Sequence, residues 1–139
     1  MKTLNYARII LLLMITVGLS SCGDEFYNDD FLRNSDEKLC GYVWLEEYVT
    51  TDGDLCTHKL EFARTGSGRE AFEYRRSSGN SWGAIYKTET YNFNWTWVND
   101  MEGLELHYGA NSTLYFDNVW VREYYLSGNF DGVEVTFRR

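Results

Sequence analysis

The 139-residue sequence contains no proline and only two histidines. Proline removes a donor from a β-ladder, so its absence is consistent with long continuous strands. His58 and His107 have neither a histidine partner at metal-ligand spacing nor a nearby cysteine pair. We therefore predict no metal site and expect each to be a strand histidine with an ordinary hydrogen bond.

Sequence motifs for catalysis are also missing. There is no Gly-x-Ser-x-Gly elbow, phosphate-binding loop or dinucleotide-binding fingerprint. The candidates by residue type for the paired carboxylates of a glycosidase are Glu46, Glu47, Glu70 and Glu73. Alternation along a strand puts Glu46 and Glu47 on opposite faces. The sequence therefore predicts no catalytic residue, no cofactor and a protein that is not an enzyme.

No apolar run is long enough to cross a membrane as a helix. The longest, Ile9 to Gly18, has about half of the roughly 20 residues that a spanning helix needs. Lys2 and Arg8 precede it, and small residues follow it. This order is typical of a secretion signal, so we predict that residues 1–21 are a signal peptide.

The signal ends in Leu19-Ser20-Ser21-Cys22. This motif resembles the lipobox of bacterial lipoproteins, in which the cysteine after the cleavage site receives a diacylglycerol and an N-acyl chain. The resemblance implies that Cys22 is lipidated, with palmitate as a typical chain, and becomes the mature N-terminus. Several acyl chains hold a protein stably at a bilayer. The predicted location is therefore the cell envelope, as an outer-membrane lipoprotein. An ordinary signal peptide with an incidental cysteine is the alternative.

Basic residues are scarce after the signal. The 13 lysines and arginines less Lys2 and Arg8 leave 11 against 21 acidic residues, a net charge of −10. Nucleic-acid phosphates and anionic bilayers both attract lysine and arginine. The sequence therefore predicts no nucleic-acid partner and membrane attachment through the lipid on Cys22. About 118 mature residues suffice for one domain.

Residues 22–38 are polar and acidic, without a sustained apolar period, and we predict that they form a linker between lipid and domain. Gly23-Asp24-Glu25 resembles the export signal of surface-exposed lipoproteins in gut Gram-negative bacteria, which implies placement in the outer leaflet. A solvated linker that carries no such signal is the alternative.

From Leu39 to Arg139, apolar and polar residues alternate with a period of two, which is typical of strands with one buried face. Turn sequences such as Asp52-Gly53 and Asp117-Asn118 separate the runs. The predicted strands are 40–50, 55–64, 69–76, 83–90, 91–98, 103–108, 112–117 with 119–127, and 132–138. Short connections favour an antiparallel meander. A closed barrel is favoured over a sandwich because closure removes exposed edges.

The span 39–139 resembles the small lipocalin-like, calycin-type domains of lipoproteins from gut Gram-negative bacteria. The segments that carry the resemblance are 39–44, 60–62 with the glycine turn 66–68, 91–95, 104–108, and 126–128 with 133–137. The lipocalin hallmark Gly-x-Trp is one residue longer here, between Gly41 and Trp44. The resemblance implies an all-β barrel of about eight strands with a ligand-binding mouth.

The aromatic row Tyr91, Phe93, Trp95 and Trp97 has two interpretations. Such a row fills the core of most small barrels, but indole and phenol faces also stack on sugars and other flat ligands. Trp44 and Trp82 are the other aromatic residues expected to join a ligand pocket.

Cys40 and Cys56 form an even pair in an oxidising compartment, which favours a disulfide. A two-residue turn at Asp52-Gly53 would place Val49 opposite Cys56, with Cys40 about 30 Å away along an extended strand. The sequence leaves bridged and free thiols both open.

Two classes of function remain. The first is a non-enzymatic barrel that binds a small apolar ligand, a glycan or a protein partner. The second is a small barrel lipoprotein that inhibits a lysozyme-like enzyme.

Overall fold

Eight antiparallel strands make up nearly all the regular structure of residues 33–139, the part of the chain that the computed structural model describes. The strands are β1 (Val43–Val49), β2 (Leu55–Phe62), β3 (Ser67–Ser78), β4 (Ser81–Val98), β5 (Gly103–Tyr108), β6 (Ser112–Val121), β7 (Tyr125–Phe130) and β8 (Val133–Arg138). One short helix, α1 (Asp36–Leu39), precedes them, with Ser35 as its N-cap. The predicted signal peptide and Cys22 lie outside the described residues.

Each strand pairs with the next along the chain, and β1 meets β8 to close a barrel. This confirms the predicted all-β fold, an antiparallel meander closed into a small eight-stranded barrel, and it is compatible with a lipocalin-like fold. No helix within residues 33–139 is long and apolar enough to span a bilayer.

Two strand assignments from the sequence were wrong although the total of eight was right. The predicted strands 83–90 and 91–98 are one continuous strand, β4, because residues 84–91, which span the predicted boundary, contain no glycine, proline, asparagine, aspartate or serine. The predicted segment 119–127 instead contains a reversal between β6 and β7, where the Arg122 amide donates to the Tyr125 carbonyl at 2.8 Å. This turn has no glycine, asparagine or proline to signal it.

The predicted turn at Asp117-Asn118 is an irregularity within β6. The register of β6 against β7 shifts between Asp117 and Trp120, and Asn118 has a φ of 50°. Asparagine tolerates this left-handed conformation better than most residues, so a bulge forms where the composition favoured a turn.

The β1–β2 register also differs by one residue from that of a two-residue turn. Tyr48, rather than Val49, lies opposite Cys56. Residues 50–54 form the connection, which is closed by a 2.8 Å hydrogen bond from the Thr50 amide to the Asp54 carbonyl. Asp52-Gly53 is therefore part of a longer loop.

A hydrophobic core fills one end of the barrel, which we call the closed end. Its fully buried members include Trp44, Leu60, Leu104, Phe116, Val121, Leu126 and Phe137. Leu39 of α1 is fully buried in the same cluster, and its carbonyl accepts a 2.9 Å hydrogen bond from the Trp44 indole. The connections β2–β3, β4–β5 and β6–β7 lie at this end.

The chain joins the barrel at the closed end. Asn34 is 2% exposed; its amide donates to the carbonyls of Met101 and Val119 and accepts from the Val121 amide at 2.7 to 2.8 Å. The folded unit accordingly begins at Arg33. Residues 33–38, which we assigned to the linker from sequence, are part of it.

Candidate functional site

The opposite end of the barrel, which we call the open end, has a different lining. Register places the inward-facing residues of β1 to β4 in three rows. From the core outward these are Trp44, Leu60, Glu70 and Tyr91; then Glu46, His58, Phe72 and Glu89; then Tyr48, Cys56, Tyr74 and Lys87. Polar and aromatic side chains thus replace aliphatic ones toward the open end.

Exposure changes along single strands in the same direction. On β4, Phe93 is 3% exposed, whereas Tyr91, two residues earlier and on the same face, is 47% exposed. On β1, Trp44 is fully buried, whereas Tyr48 is 41% exposed. The barrel interior is therefore filled at the closed end and accessible to solvent at the open end. We call the accessible part the cup; its residues are Glu46, Tyr48, His58, Glu70, Phe72, Tyr74, Glu89, Tyr91 and Tyr108.

A hydrogen-bonded network forms the floor of the cup. His58 Nε2 lies 2.7 Å from Glu70 Oε1, and the Tyr108 hydroxyl donates to Glu70 Oε2 at 2.7 Å. Glu46 Oε2 lies 3.7 Å from His58 Nδ1 on the other side of the ring. His58 and Glu70 are each 5% exposed, and burial of such groups is tolerated because they are paired.

Aromatic rings enclose this network. Phe72 stacks on the imidazole of His58 with ring centroids 4.3 Å apart, and Phe137 meets it edge-on at 5.0 Å. The imidazole is therefore fixed in position between the two glutamates. Such fixed polar groups within an aromatic wall are typical of ligand sites, where a few polar atoms orient a mostly apolar ligand.

Three tyrosines of the cup, Tyr48, Tyr74 and Tyr108, keep their protons at neutral pH. Burial, with the hydrogen bond to Glu70, raises the pKa of Tyr108. Burial and the hydrogen bond to Cys56 raise the pKa of Tyr48. Burial and the nearby charge of Cys56 raise the pKa of Tyr74 to about 12. These hydroxyls therefore act as hydrogen-bond donors.

At the rim, Lys87 and Glu89 form an ion pair at 2.7 Å. Tyr74 donates a 3.2 Å hydrogen bond to Glu89, and the Lys87 ammonium lies 5.0 Å from the Tyr74 ring centroid. The hydrogen bond from Lys87 lowers the pKa of Glu89 and raises that of Lys87. The positive and negative charges of the rim therefore offset each other.

The predicted ligand-binding aromatics do not come together in the cup. Trp44, Phe93 and Trp95 are core residues, and the Trp95 indole donates to the carbonyls of Ala63 and Ser67 at 3.1 and 3.0 Å. Trp97 packs partly buried against the core, and its indole donates to Asp36 at 2.6 Å. Among the six predicted residues, the structure places only Tyr91 in the cup.

Trp82 lies on a projecting part of the β3–β4 hairpin. It pairs with Ser77, beyond the last cup row of Tyr74 and Lys87, and is 42% exposed. The hairpin is braced by a hydrogen bond from the Tyr86 hydroxyl to Asp54 in the β1–β2 loop. Trp82 is therefore separate from the cup floor.

Two cup residues, His58 and Glu70, carry a signal of their position that was present in the sequence. His58 alternates with Leu60 and Phe62, and Glu70 alternates with Phe72 and Tyr74, so each ionisable residue shares a face with apolar ones. Such a polar residue within an inward-facing set requires a buried partner. Strand pairing, which brings β2 beside β3, supplies it. Glu46 and Tyr108 complete the site.

The other sequence candidates lie outside the cup. His107 is on the outer face, 3.0 Å from the Thr113 hydroxyl and 3.4 Å from Glu105. Glu47 accepts a hydrogen bond from Thr57, on the face opposite Glu46, and Glu73 pairs with Lys59 at 2.7 Å. Within residues 33–139, no three metal-ligating side chains gather as a metal site would require.

Cys40 and Cys56 are buried free thiols in the structure. The Gly41 amide donates to the Phe62 carbonyl, which places Cys40 beside the end of β2. Cys56 is six residues earlier in that strand, about 20 Å away. This separation exceeds the roughly 7 Å between Cα atoms that a disulfide tolerates. Burial raises the pKa of Cys40, which makes this thiol less reactive.

A shallow groove of about 580 Å³, lined by both polar and apolar side chains, runs over the outer face of β1 to β5. Asn92, Asn94, Arg69 and His107 are among the residues that line it. Its amide and guanidinium groups offer hydrogen bonds, but its aromatic lining is smaller than that of the cup.

Comparisons with protein-family models, curated proteins and solved structures gave no significant match to this chain.

Proposed function

We propose that the protein is an envelope-anchored lipoprotein whose barrel binds a small ligand in the cup. The observation that carries this proposal is the exposure of Tyr48 and Tyr91, which face inward yet are 41% and 47% exposed. A barrel whose only task was stability would fill that end with core residues, as it does at the closed end.

The chemistry of the cup favours a ligand with a flat apolar body and at least one hydrogen-bonding group. Phe72, Tyr48 and Tyr91 provide ring faces. Glu46 has a side chain that is 25% exposed and only a 3.7 Å contact with His58, so it is available to a ligand donor. A small apolar ligand with a polar group therefore fits the cup better than an extended glycan does.

The position of the cup suits a protein held by its N-terminus. Arg33 lies at the closed end, where its guanidinium donates to the Val119 carbonyl at 3.0 Å, and the cup opens at the other end of the strands. The first described residue and the mouth of the cup therefore lie at opposite ends of the barrel.

Binding in the cup is tested by titrating the mature chain, residues 22–139 carrying Cys22→Ser, with the neutral apolar dye Nile red. We expect Tyr91→Ala to weaken binding by about tenfold, equivalent to about 1.4 kcal/mol. The matched control is Tyr115→Ala, which removes a tyrosine of similar exposure from the outer face of β6. Equal binding by both variants would contradict a site in the cup.

The outer groove gives a second arm to the same experiment. If the protein binds a glycan in the outer groove, a chitin trisaccharide should bind to the mature chain. Asn92→Ala should then weaken the binding of that trisaccharide. Inhibition of a lysozyme-like enzyme is the alternative function. It predicts that the mature chain inhibits such an enzyme while neither probe binds.

Anchoring is tested separately. Replacing Cys22 with Ala in the full chain should release the protein from membranes, because no other part of the proposed architecture inserts into lipid. Continued tight membrane association of Cys22→Ala would show that another element attaches the protein.

A further inference from the structure

The wall of the barrel is incomplete between its first and last strands. β1 and β8 share a single ladder pair, Leu45 with Arg138. By contrast, β1 pairs with β2 along all seven of its residues, and β8 pairs with β7 along all six of its own. A continued antiparallel ladder would place Glu47 opposite Thr136, and this pair does not form. We call the unpaired stretches 46–49 and 133–136 the seam.

A cleft of about 700 Å³ opens at the seam. Its lining consists of Leu45, Glu46, Glu47, Glu134, Val135, Thr136 and Arg138. Consecutive residues of a strand point to opposite faces, so a cleft lined by three consecutive residues from each strand passes between the two strands. Its volume is within the range of ordinary ligand sites, which run from about 300 to about 1,000 Å³.

The backbone at the seam has unused pairing capacity. Strand edges without a neighbour present rows of amide and carbonyl groups that pair readily with another chain. A fully closed barrel removes such edges, but here two of them face each other across the cleft. An extended segment placed between them would have a pairing edge on each side, which is the arrangement used in strand addition.

The side chains around the seam define which segment fits. Three acidic residues, Glu46, Glu47 and Glu134, line the cleft against one base, Arg138. Alternation along β1 and β8 places Glu47 and Glu134 on the outer face of the seam. It places Val133, which is 64% exposed, and Val135 on the inner face with Phe137. A segment with basic side chains on its outer face and aliphatic side chains on its inner face would match both the charge and the apolar surface.

The protein's own segment between Cys22 and the barrel does not match this chemistry. Residues 22–32 carry Asp24, Glu25, Asp29 and Asp30 and no lysine or arginine. A second copy of the chain would present an equally acidic seam. The complementary partner is therefore a different chain.

We propose that the seam between β1 and β8 is an acceptor for an extended basic peptide of a protein partner, which binds by strand addition and completes the barrel wall. Backbone hydrogen bonds to the two edges supply affinity, and the acidic lining selects a basic sequence. This site is distinct from the floor of the cup, although Glu46 borders both.

The test uses a fluorescein-labelled octapeptide in which valine and lysine alternate, with binding to the mature Cys22→Ser chain followed by fluorescence anisotropy. We expect saturable binding that weakens as salt is added. Two further peptides isolate the two sources of affinity. One has glutamate in place of lysine, and the other keeps the lysines but has alternate backbone nitrogens methylated. Both should bind at least about tenfold more weakly.

Two variants locate the site. Glu134→Lys reverses an exposed charge at the seam, and Glu47→Lys does the same on the opposite edge. Each should weaken the valine–lysine peptide by about tenfold. The matched control is Glu37→Lys, which makes the same charge change on exposed α1. Circular dichroism of each variant checks that the barrel is retained.

Three results would overturn the proposal. The first is no binding of the valine–lysine peptide to the unsubstituted mature chain. The second is equal binding of the N-methylated peptide, which would show attraction by charge without strand pairing. The third is equal weakening by Glu37→Lys and Glu134→Lys, which would place the contact away from the seam.

Discussion

The two ends of the barrel are built from the same strands but differ in burial and in chemistry. At the closed end, Trp44, Leu60 and Phe137 are fully buried, and α1 covers the opening with Leu39. At the open end, the same strands carry tyrosines, glutamates and a histidine, and part of that surface reaches solvent. The comparison shows that the filled core and the solvent-accessible cup, where we propose that a ligand binds, are separated along the strand direction.

The same contrast is present along β1 alone. Trp44 and Tyr48 are four residues apart on one face, and one is completely buried while the other is 41% exposed. The inward-facing residue between them is Glu46, which lies 3.7 Å from His58. A few residues along one strand thus separate core from site.

The largest expected loss of stability comes from a substitution in the core at the closed end. Trp44→Ala should lower the free energy of unfolding by about 3 to 5 kcal/mol, because it leaves a cavity and removes the hydrogen bond to Leu39. Tyr48→Ala, on the same strand, should cost about 1 kcal/mol or less. Urea unfolding followed by tryptophan fluorescence measures both. Similar losses would show that the two ends contribute equally to stability.

The floor of the cup should be the next most sensitive region. Glu70→Ala removes the acceptor for both His58 and Tyr108 and should cost about 2 to 4 kcal/mol. Glu73→Ala is the matched control on the outer face of the same strand. It breaks a partly exposed ion pair with Lys59 and should cost about 1 kcal/mol or less.

A conservative change tests whether the network acts through its hydrogen bonds. Glu70→Gln keeps an acceptor oxygen but removes the carboxylate, so its cost in unfolding free energy should lie between those of Glu70→Ala and the unsubstituted chain. If Glu70→Gln unfolds as readily as Glu70→Ala, the charge of Glu70 and not its acceptor capacity holds the floor together.

The open end should also determine the response to alkaline pH. The folded-state pKa of Tyr74 is raised from 10.0 to about 12, so folding favours the protonated phenol. The resulting stability is fully present below pH 10 and is lost as pH rises toward about 12. Tyr74→Phe should flatten part of this decline and remove one late tyrosine from the tyrosinate absorbance titration. Ionisation of every tyrosine before any loss of folded structure would contradict the role of burial.

The smallest effect concerns the two thiols, one near each end. In the Cys22→Ser chain, both should react slowly with a thiol reagent while folded, since Cys40 is 7% exposed and Cys56 is fully buried. Tyr48→Ala should speed the reaction of Cys56 but not of Cys40, because the Tyr48 phenol covers only Cys56. Unfolding should expose two thiols; recovery of none would show that a bridge forms in the protein.

The strands were predictable wherever alternation was strong and a glycine or asparagine turn separated the runs. β2, β5 and β8 begin and end close to their predicted bounds. The predicted strand bounds were wrong at two places where the local composition favoured a different structure. The β6–β7 turn has no turn-forming residue, and Asn118 favoured a turn but forms a bulge. In both places the pairing of neighbouring strands overrides the local preference.

The candidate site was less predictable than the fold. Aromatic residue type left core packing and ligand binding both open, because residue type does not reveal depth along the barrel. The structure shows that Phe93, Trp95 and Trp44 are core residues. Only closure of the sheet brings Tyr108 of β5 to Glu70 of β3, 38 positions apart in sequence.

The sequence by itself determined the all-β class, the antiparallel meander and the inward face of most strands, because a period of two along each run and the short turns between runs depend only on neighbouring residues. Tertiary structure decided which inward residues form core and which form the cup, since that depends on how far along the barrel each row lies. It also decided that β1 and β8 meet at one pair. Pairing between the first and last strands depends on the accumulated register of all the strands between them, and no local pattern encodes it.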